Sequence, residues 1–467
     1  MEPEPNWDAA LEEVVAHLRR LLQFKTVNPP GDELPLARHL AAVLDAAGIE
    51  TRLIEVAPSR AAVVARLRGT GNREPLLLLA HTDVVGVEGQ QWSADPFAGL
   101  VKDGCVYGRG AIDDKGMLAV NLETMLLLRR EVVARGRPAA RDVVFVATPD
   151  EETGGALGVK WLLEHHPNLV RGACALNEGG RVRLHAGRLL FAAVQCAEKV
   201  PYRLRLVASG SGGHSMIPRP GNAICRLGRA LAAIAAHEEA VQLTPTMRRF
   251  FDAVQAIWPD NAQAAAMRDV ASRDAARQRA GAAVLGALPG LAALVQNTVT
   301  PTTVGGGTSS NVVPGEAWAL LDARLLPGEE IGPFVQRLSA AIGDADVRLE
   351  AGRRGPDSPA SPATSPLFEA IADTARELSP GLAVAPFMSP GMTESALLRV
   401  AGIEAYGLLP FPLEQEDEDR MHGPDERLPI ESLRFGLRLV YGVARRLASG
   451  SEPTAGERSA FYGRGTR

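Results

Sequence analysis

Histidines and carboxylates recur in this chain where an apolar run stops or a helical stretch begins. LLLLAHTD places His81 and Asp83 directly after such a run, and residues two apart on an extended strand share a face. YGRGAIDDKG sets Asp113 and Asp114 in a glycine-flanked turn, and ATPDEETGG puts Glu151 and Glu152 just past VVFVAT. LNEGG places Glu178 after ACAL, and RMHGPDE holds His422 in a polar loop. Each motif alone has a plainer reading. An Asp-Asp pair caps helices, paired glutamates suit a helix start or a solvated face, and a histidine after a strand is an ordinary hydrogen-bonding residue. Together they supply imidazoles and carboxylates, a donor set that zinc accepts. A pair of cations needs one carboxylate that spans both and terminal ligands on each. Such a pair activates water and polarises a carbonyl.

The elements that must position these groups alternate between strand and helix over the first 190 residues. Helical periodicity covers Trp7–Phe24, with Leu11, Val14, Val15, Leu18 and Leu22 on one face, and then Leu34–Ala47 up to Gly48. Uninterrupted apolar runs at 61–67, 76–80, 143–148 and 173–176 suit strands covered on both faces, with helices at Lys115–Arg130 and Ala156–His165 as covers. In such sheets ligands gather beyond the carboxyl ends of the strands, where three of the motifs fall. Around Phe191–Val207 the pattern changes to alternation. A helix follows over Asn222–His237, with Ile224, Leu227, Leu231 and Ile234 on one face, and then a long helical stretch over 245–294. Strands return at 295–304 and 316–325, followed by a helix near 332–342 and a strand near 347–351. GRRGPDSPASPATS, 352–365, reads as a linker. Helices at Leu367–Leu378 and Glu431–Leu447 then flank a polar middle.

The chain has 467 residues, too many for one comfortable core. Its 50 basic and 55 acidic side chains leave a net charge of −5, which draws neither nucleic acid nor an anionic membrane. Cys105, Cys174, Cys196 and Cys225 form no C-x-x-C pair and read as buried, reduced thiols. The acidic N-terminus has no signal pattern and no apolar run approaches a membrane span, so the expected location is the cytoplasm.

The ordered set H-T-D, G-R-G-A-x-D-D-K-G, D-E-E-x-G-G, N-E-G and a late H-G resembles the co-catalytic di-zinc peptidase family. That family includes aminoacylase, carboxypeptidase S, glutamate carboxypeptidase, acetylornithine deacetylase and succinyl-diaminopimelate desuccinylase. The resemblance runs from about residue 10 to 447. HTDVV, GRGAIDDKG and the helical insertion are similar to the carboxypeptidase S-like branch. It implies an α/β fold: a mixed-sheet catalytic domain with helices on both faces, formed by 1–192 and 353–450. A smaller α+β lid and dimerisation domain, 193–352, is inserted in it, and a disordered tail follows at 451–467.

Residue by residue, the resemblance implies that Asp113 bridges two divalent metal ions, zinc foremost, with cobalt or manganese as other occupants. His81 and Glu178 complete one site, and Glu152 and His422 the other. Glu151 is then the general base, and Asp83 holds the His81 ring by its other nitrogen. The family also implies a cis peptide after Asp113. In SGSGGHSMIP, His214 corresponds to a histidine that enters a partner subunit's site and stabilises the oxyanion, which implies a homodimer through the inserted domain. Asn311 and Arg324 correspond to substrate contacts, Arg324 being suited to a carboxylate. SPGMTESALL resembles the substrate turn G-G-T-D-S. Gly391, Thr393 and Ser395 fit, but Met392 replaces a glycine and Glu394 an aspartate, which unsettles the usual pocket.

The function so implied is metal-dependent hydrolysis of an amide beside a free carboxylate, in a small peptide or N-acyl amino acid. The alternatives are an amidase acting on a non-peptide N-acyl or N-carbamoyl compound, and a metal-binding protein without activity. Retention of Glu151 argues against the latter, since a structural site needs no base. No G-x-S-x-G or P-loop motif supports a serine hydrolase or a nucleotide enzyme.

Overall fold

A computed structural model of the chain describes residues 4–217 and 220–449, so the tail 451–467, read above as disordered, lies outside the described residues. The apolar runs have no polar face to turn toward water. They form the almost wholly buried strands Arg60–Leu67, Leu76–His81 and Val143–Thr148, and the start of Cys174–His185. These belong to an eight-stranded mixed sheet. Its order is Glu50–Ala57, Arg60–Leu67, Val143–Thr148, Leu76–His81, Cys174–His185, Glu404–Leu413, Arg188–Glu198, Ala383–Ser389. The four middle strands, Val143–Thr148 to Glu404–Leu413, run parallel.

Strand alternation sorts the side chains into two cores. Val63, Leu76, Leu78, Val143 and Phe145 enter the larger one, with the helices Trp7–Leu22, Leu34–Ala46, Lys115–Arg135, Pro366–Leu378 and Ile430–Ser449. Val64, Leu77, Leu79, Val144 and Val146 face the other way, toward Val159, Leu162 and Leu398 of the helices Val159–His165 and Ser395–Val400. Every residue from Lys115 to Leu128 is buried, which explains why that helix lacks a polar stripe.

Several expectations are corrected. The middle of the C-terminal segment is not polar: Glu404–Leu413 is a central strand, buried from Ala405 onward. Pro410 and Pro412 disguise it by removing two ladder donors, and the pairing register shifts between Leu409 and Pro412. The 352–365 segment is no free linker. Its first residues finish the strand Val347–Arg354, and Ser361 is buried, its amide donating to the Cys196 carbonyl at 2.8 Å and its hydroxyl to the Ala405 carbonyl at 2.8 Å. Ile224 faces outward from the helix Ala223–Ala236, whose core face is Ala223, Leu227, Ala230 and Ile234. Of the cysteines expected to be buried, Cys174 and Cys196 are, whereas Cys225 is exposed and Cys105 half-buried.

The described residues form two compact units: those up to Cys196, Ala360–Phe387 and those from Thr393 onward make one, and those of Ala197–Pro359 with Met388–Met392 the other. The changeover read at 192/193 falls inside the strand Arg188–Glu198, and the return at 352/353 inside Val347–Arg354. In the second unit an antiparallel sheet has the order Thr298–Gly306, Glu316–Leu325, Val200–Ser209, Val347–Arg354. Alternate residues Val200, Tyr202, Leu204, Leu206 and Ala208 pack on the helices Ala223–Ala236 and Ile331–Ile342. The 245–294 stretch forms four helices, Pro245–Val254, Asn261–Val270, Ala275–Gly286 and Pro289–Val295. Thr244, Asp260 and Asp274 cap the first three. Among the described residues no helix is long and apolar enough to cross a membrane.

Candidate metal centre

Parallel pairing brings the motifs to one edge of the first unit. His81 stands opposite Thr148 at the ends of adjacent strands, so Asp83 and the Glu151–Glu152 pair leave the sheet on the same side. Glu178 lies in the next strand over, which is paired in register at Leu78–Leu176. The strand Glu404–Leu413 runs parallel to that one and leads through the short helix Gln415–Glu418 to His422. Asp113 and Asp114 are joined by a cis peptide at the entrance of Lys115–Arg135.

Asp113 turns one carboxylate oxygen to each histidine. Its Oδ1 lies 2.9 Å from His81 Nε2, and its Oδ2 3.2 Å from His422 Nε2. His422 Nε2 is also 3.6 Å from Glu152 Oε1. Ligand atoms of His81, Glu151 and Glu178 form one group with mutual separations within 4.8 Å, and those of His81, Asp113 and Glu152 form another.

The His81 ring is oriented by main chain: Nδ1 donates to the Asp83 carbonyl at 3.0 Å, and the Asp83 carboxylate is farther, at 3.5 Å. That contact assigns the proton to Nδ1 and leaves Nε2 free to ligate. The Asp83 carboxylate is committed mainly elsewhere. It accepts from the backbone amides of Glu151 and Glu152, both at 3.1 Å, and from Asn28 Nδ2 at 2.8 Å. Asp83 thereby fixes the backbone of the glutamate pair.

Burial and crowding act strongly on these acids. Burial, then the charge of Glu178, holds the Glu151 carboxyl well above its usual range. Burial, then Asp113, pushes Glu152 to about 7 and Glu178 to about 8. Asp113 goes the other way: burial opposes its charge, but the His422 and His81 imidazoles against its oxygens hold it well below the carboxylate range. The donors fit divalent cations, because an imidazole nitrogen and carboxylate oxygens converge in a buried site where positive charge relieves their repulsion.

Residues not singled out from sequence hold this constellation. Glu426 and Arg109 are fully buried. Glu426 Oε2 accepts from Arg109 Nη1 at 2.6 Å and from the Gly110 amide at 3.0 Å, while Oε1 accepts from the amides of Ile112 at 2.8 Å and Asp113 at 3.2 Å. One carboxylate thus cradles the turn that presents Asp113. Arg109 also donates to the Gly423 carbonyl at 3.2 Å and to Gln90 Oε1 at 2.8 Å, and Gln90 Nε2 donates to the His422 carbonyl at 2.7 Å. On the other side, Arg60 pairs with Glu33 and donates to Asp150 Oδ1 at 3.0 Å, beside Asn28. The signals were present as single letters within quoted motifs, the arginine of G-R-G and the last residue of H-G-P-D-E. Nothing local says that the two meet across 317 positions.

In the second unit His214 and Asn311 are exposed neighbours. The Gly213–His214 pair bridges Val312–Val313, and the Ser215 amide donates to the Asn311 carbonyl at 3.0 Å. Arg324 stands at the far end of Glu316–Leu325, its Nε donating to Asp322 Oδ2 at 2.9 Å. The Gly391 amide donates to Ser389 Oγ at 3.1 Å. Thr393, in the first unit, is buried and accepts from the Ser395 amide at 3.2 Å.

The family model for peptidase family M20/M25/M40 matches residues 77–446, a span that contains all five motifs. The chain belongs to this family. It is a metallopeptidase-type hydrolase. Among its relatives, a probable carboxypeptidase S-like protein of Dictyostelium discoideum is 28% identical over 380 residues, covering 80% of this chain and 71% of that one. Aminoacylase-1B of Rattus norvegicus is 26% identical over 441 residues, covering 92% and 95%. The fold matches that of an M20 family metallo-carboxypeptidase from Sulfolobus solfataricus with a TM-score of 0.68 at 18% identity, over 93% of this chain and 98% of that one.

Proposed function

We propose that this enzyme cleaves an amide bond beside a free carboxylate, in a small peptide or an N-acyl amino acid, using two divalent metal ions. The observation that carries the reading is Asp113, whose two oxygens each face a different histidine. His81, Glu178 and Asp113 would hold one ion, and Asp113, Glu152 and His422 the other. Zinc fits the mixed nitrogen and oxygen donors, and cobalt and manganese are the competitors. When bound, such a pair supplies a Lewis acid for the scissile carbonyl and lowers the pKa of water. Glu151 takes a proton from the attacking water and delivers it to the leaving amine, as a carboxylate within reach of both can. The amides of Glu151 and Glu152 are pinned by Asp83, so the base and its neighbouring ligand share one rigid backbone.

Two relatives support this substrate class, one named for a carboxypeptidase and one for an aminoacylase. Arg324 would receive the free carboxylate, with Asn311, Gly391 and Thr393 contacting the rest. A second copy's His214 would stabilise the oxyanion in a homodimer formed through the second unit. The cytoplasm is the proposed location.

Glu151→Gln tests the reading. With dipeptides and N-acyl amino acids as substrates, kcat should fall by about 10²- to 10⁴-fold, while elemental analysis still finds two metal ions per chain. Turnover like the unmodified enzyme's would remove Glu151 from the base role. Release from neither substrate class, with activity on carbamoyl compounds, would replace the substrate.

A further inference from the structure

Glu394 occupies the place where the substrate turn carries aspartate in the resembling sequences, and its carboxylate is not free to meet a ligand. The residue is 3% exposed. Its Oε2 accepts from the Thr148 hydroxyl at 2.5 Å, and its Oε1 from the Val159 amide at 2.6 Å. Thr148 is the last residue of the strand Val143–Thr148, and Val159 the first of the helix Val159–His165. Between these two points lies the loop 149–158, which carries Glu151 and Glu152. One side chain therefore ties the entry of that loop to its exit.

The loop is shaped to admit this contact. A Cβ on Gly158 would lie 2.2 Å from Glu394 Oε1, and one on Gly155 3.6 Å from it. The Gly158 position therefore accepts no side chain, since such a Cβ would meet this carboxylate and also lie 2.7 Å from the Pro149 carbonyl. Inside the loop, Asp150 Oδ2 accepts from the Leu157 amide at 3.0 Å, and Asp83 holds the amides of Glu151 and Glu152. Asp83 fixes the middle of the loop from the sheet side, and Glu394 fixes its ends from the helix Ser395–Val400. An aspartate at 394 would be shorter by one carbon–carbon bond, about 1.5 Å, and could not keep both contacts without moving its helix.

We infer that Glu394 is a positioning residue for this chain's reaction: it sets the loop that presents Glu151 and Glu152 through Thr148 and Val159, with Gly158 leaving room for it. The inference rests on the reading of Glu151 as base and Glu152 as ligand. What matters in it is reach. A glutamine keeps an oxygen for the Val159 amide and offers an amide N–H to the Thr148 hydroxyl, which can accept as well as donate.

The test compares Glu394→Asp, Glu394→Gln, Gly158→Ala and Thr148→Val with the unmodified enzyme, each loaded with cobalt and checked for folding by circular dichroism. Glu394→Asp and Gly158→Ala should lower kcat at least tenfold with KM within threefold. They should also shift the visible cobalt absorption, which reports the geometry set by Glu152. Thr148→Val should do the same to a smaller extent, and Glu394→Gln should retain kcat within threefold and the unshifted spectrum. A folded Glu394→Asp with unchanged kcat and spectrum overturns the inference, and so does a Glu394→Gln variant as impaired as Glu394→Asp. A rise in KM alone would make residue 394 a substrate contact and overturn it as well. Glu151→Gln run in parallel separates the two failures: if it is inactive while Glu394→Asp is normal, only the positioning role falls.

Discussion

Replacing Glu426 with glutamine is a sharp test of how the Asp113 turn is held. The substitution keeps shape and removes charge. In the native arrangement two oxygens receive four donors: Arg109 Nη1, and the amides of Gly110, Ile112 and Asp113. With glutamine, one oxygen becomes an NH₂ aimed at donors, and the buried Arg109 guanidinium loses its only charged partner among the ion pairs of the described residues. Breaking one side of a buried ion pair costs about 3–5 kcal/mol. Arg109 retains Gln90 Oε1 and the Gly423 carbonyl, which argues for the lower half of that range. At about 2–4 °C per kcal/mol, the first unit should melt roughly 6–16 °C lower. Metal affinity should fall with it, because the same turn presents Asp113. Glu50→Gln is the control: its partner Arg68 is 65% exposed, so the change should stay within about 0.5 kcal/mol. The assay is thermal and urea unfolding of the metal-loaded protein, with metal retention measured by competition with a chelator. A Glu426→Gln loss as small as the control's would refute the cradle.

Two further outcomes are expected. Burial alone would raise the Glu239 pKa, but hydrogen bonds from Arg337, His237 and Asn297 outweigh it and hold the carboxyl below its ordinary 4.5. The folded state therefore takes up this proton less readily than the unfolded chain, so the contribution is complete above pH 4.5 and is lost as pH falls below it. Unfolding measured between about pH 5.5 and 3 should show a shallower acid decline for Glu239→Gln than for the unmodified protein; parallel curves would contradict this. Stripping divalent metal with a chelator should abolish hydrolysis and lower the melting temperature of the first unit. The lost stability should be about 4 kcal/mol for each site whose starting metal stood at a thousand times its dissociation constant, and it should return on adding zinc. An unchanged melting curve after verified metal removal would show that the site adds nothing to the fold.

How far the sequence could be read depended on where each signal lay. Runs such as LLLLA and VVFVAT declare buried strands because they leave no polar face, and the strands Leu76–His81 and Val143–Thr148 are those runs. Glu404–Leu413 stayed hidden because its two prolines imitate a loop. Its place in the sheet is secured by Cys174–His185 on one side and a contact to Arg188–Glu198 on the other, which is tertiary information. Ile224 was assigned to the core because helical periodicity gives a face its width but not its edge.

By itself the sequence marked which groups could do chemistry. His81, Asp113, Glu151 and Glu152 stand where a strand stops or a helix starts, which is a local property, whereas Glu178, expected just past a strand, lies inside Cys174–His185 because that strand runs on beyond its apolar start. Only the tertiary structure decided how they are held. Asp83 carries the amides of Glu151 and Glu152 on its carboxylate, with its carbonyl nearest the His81 ring at 3.0 Å and the carboxylate at 3.5 Å. Glu426 cradles the Asp113 turn, and Glu394 ties the glutamate loop from 246 positions away at Thr148. Such contacts join distant segments whose separation carries no periodicity, so nothing in the order of residues encodes them before the sheet brings the segments together.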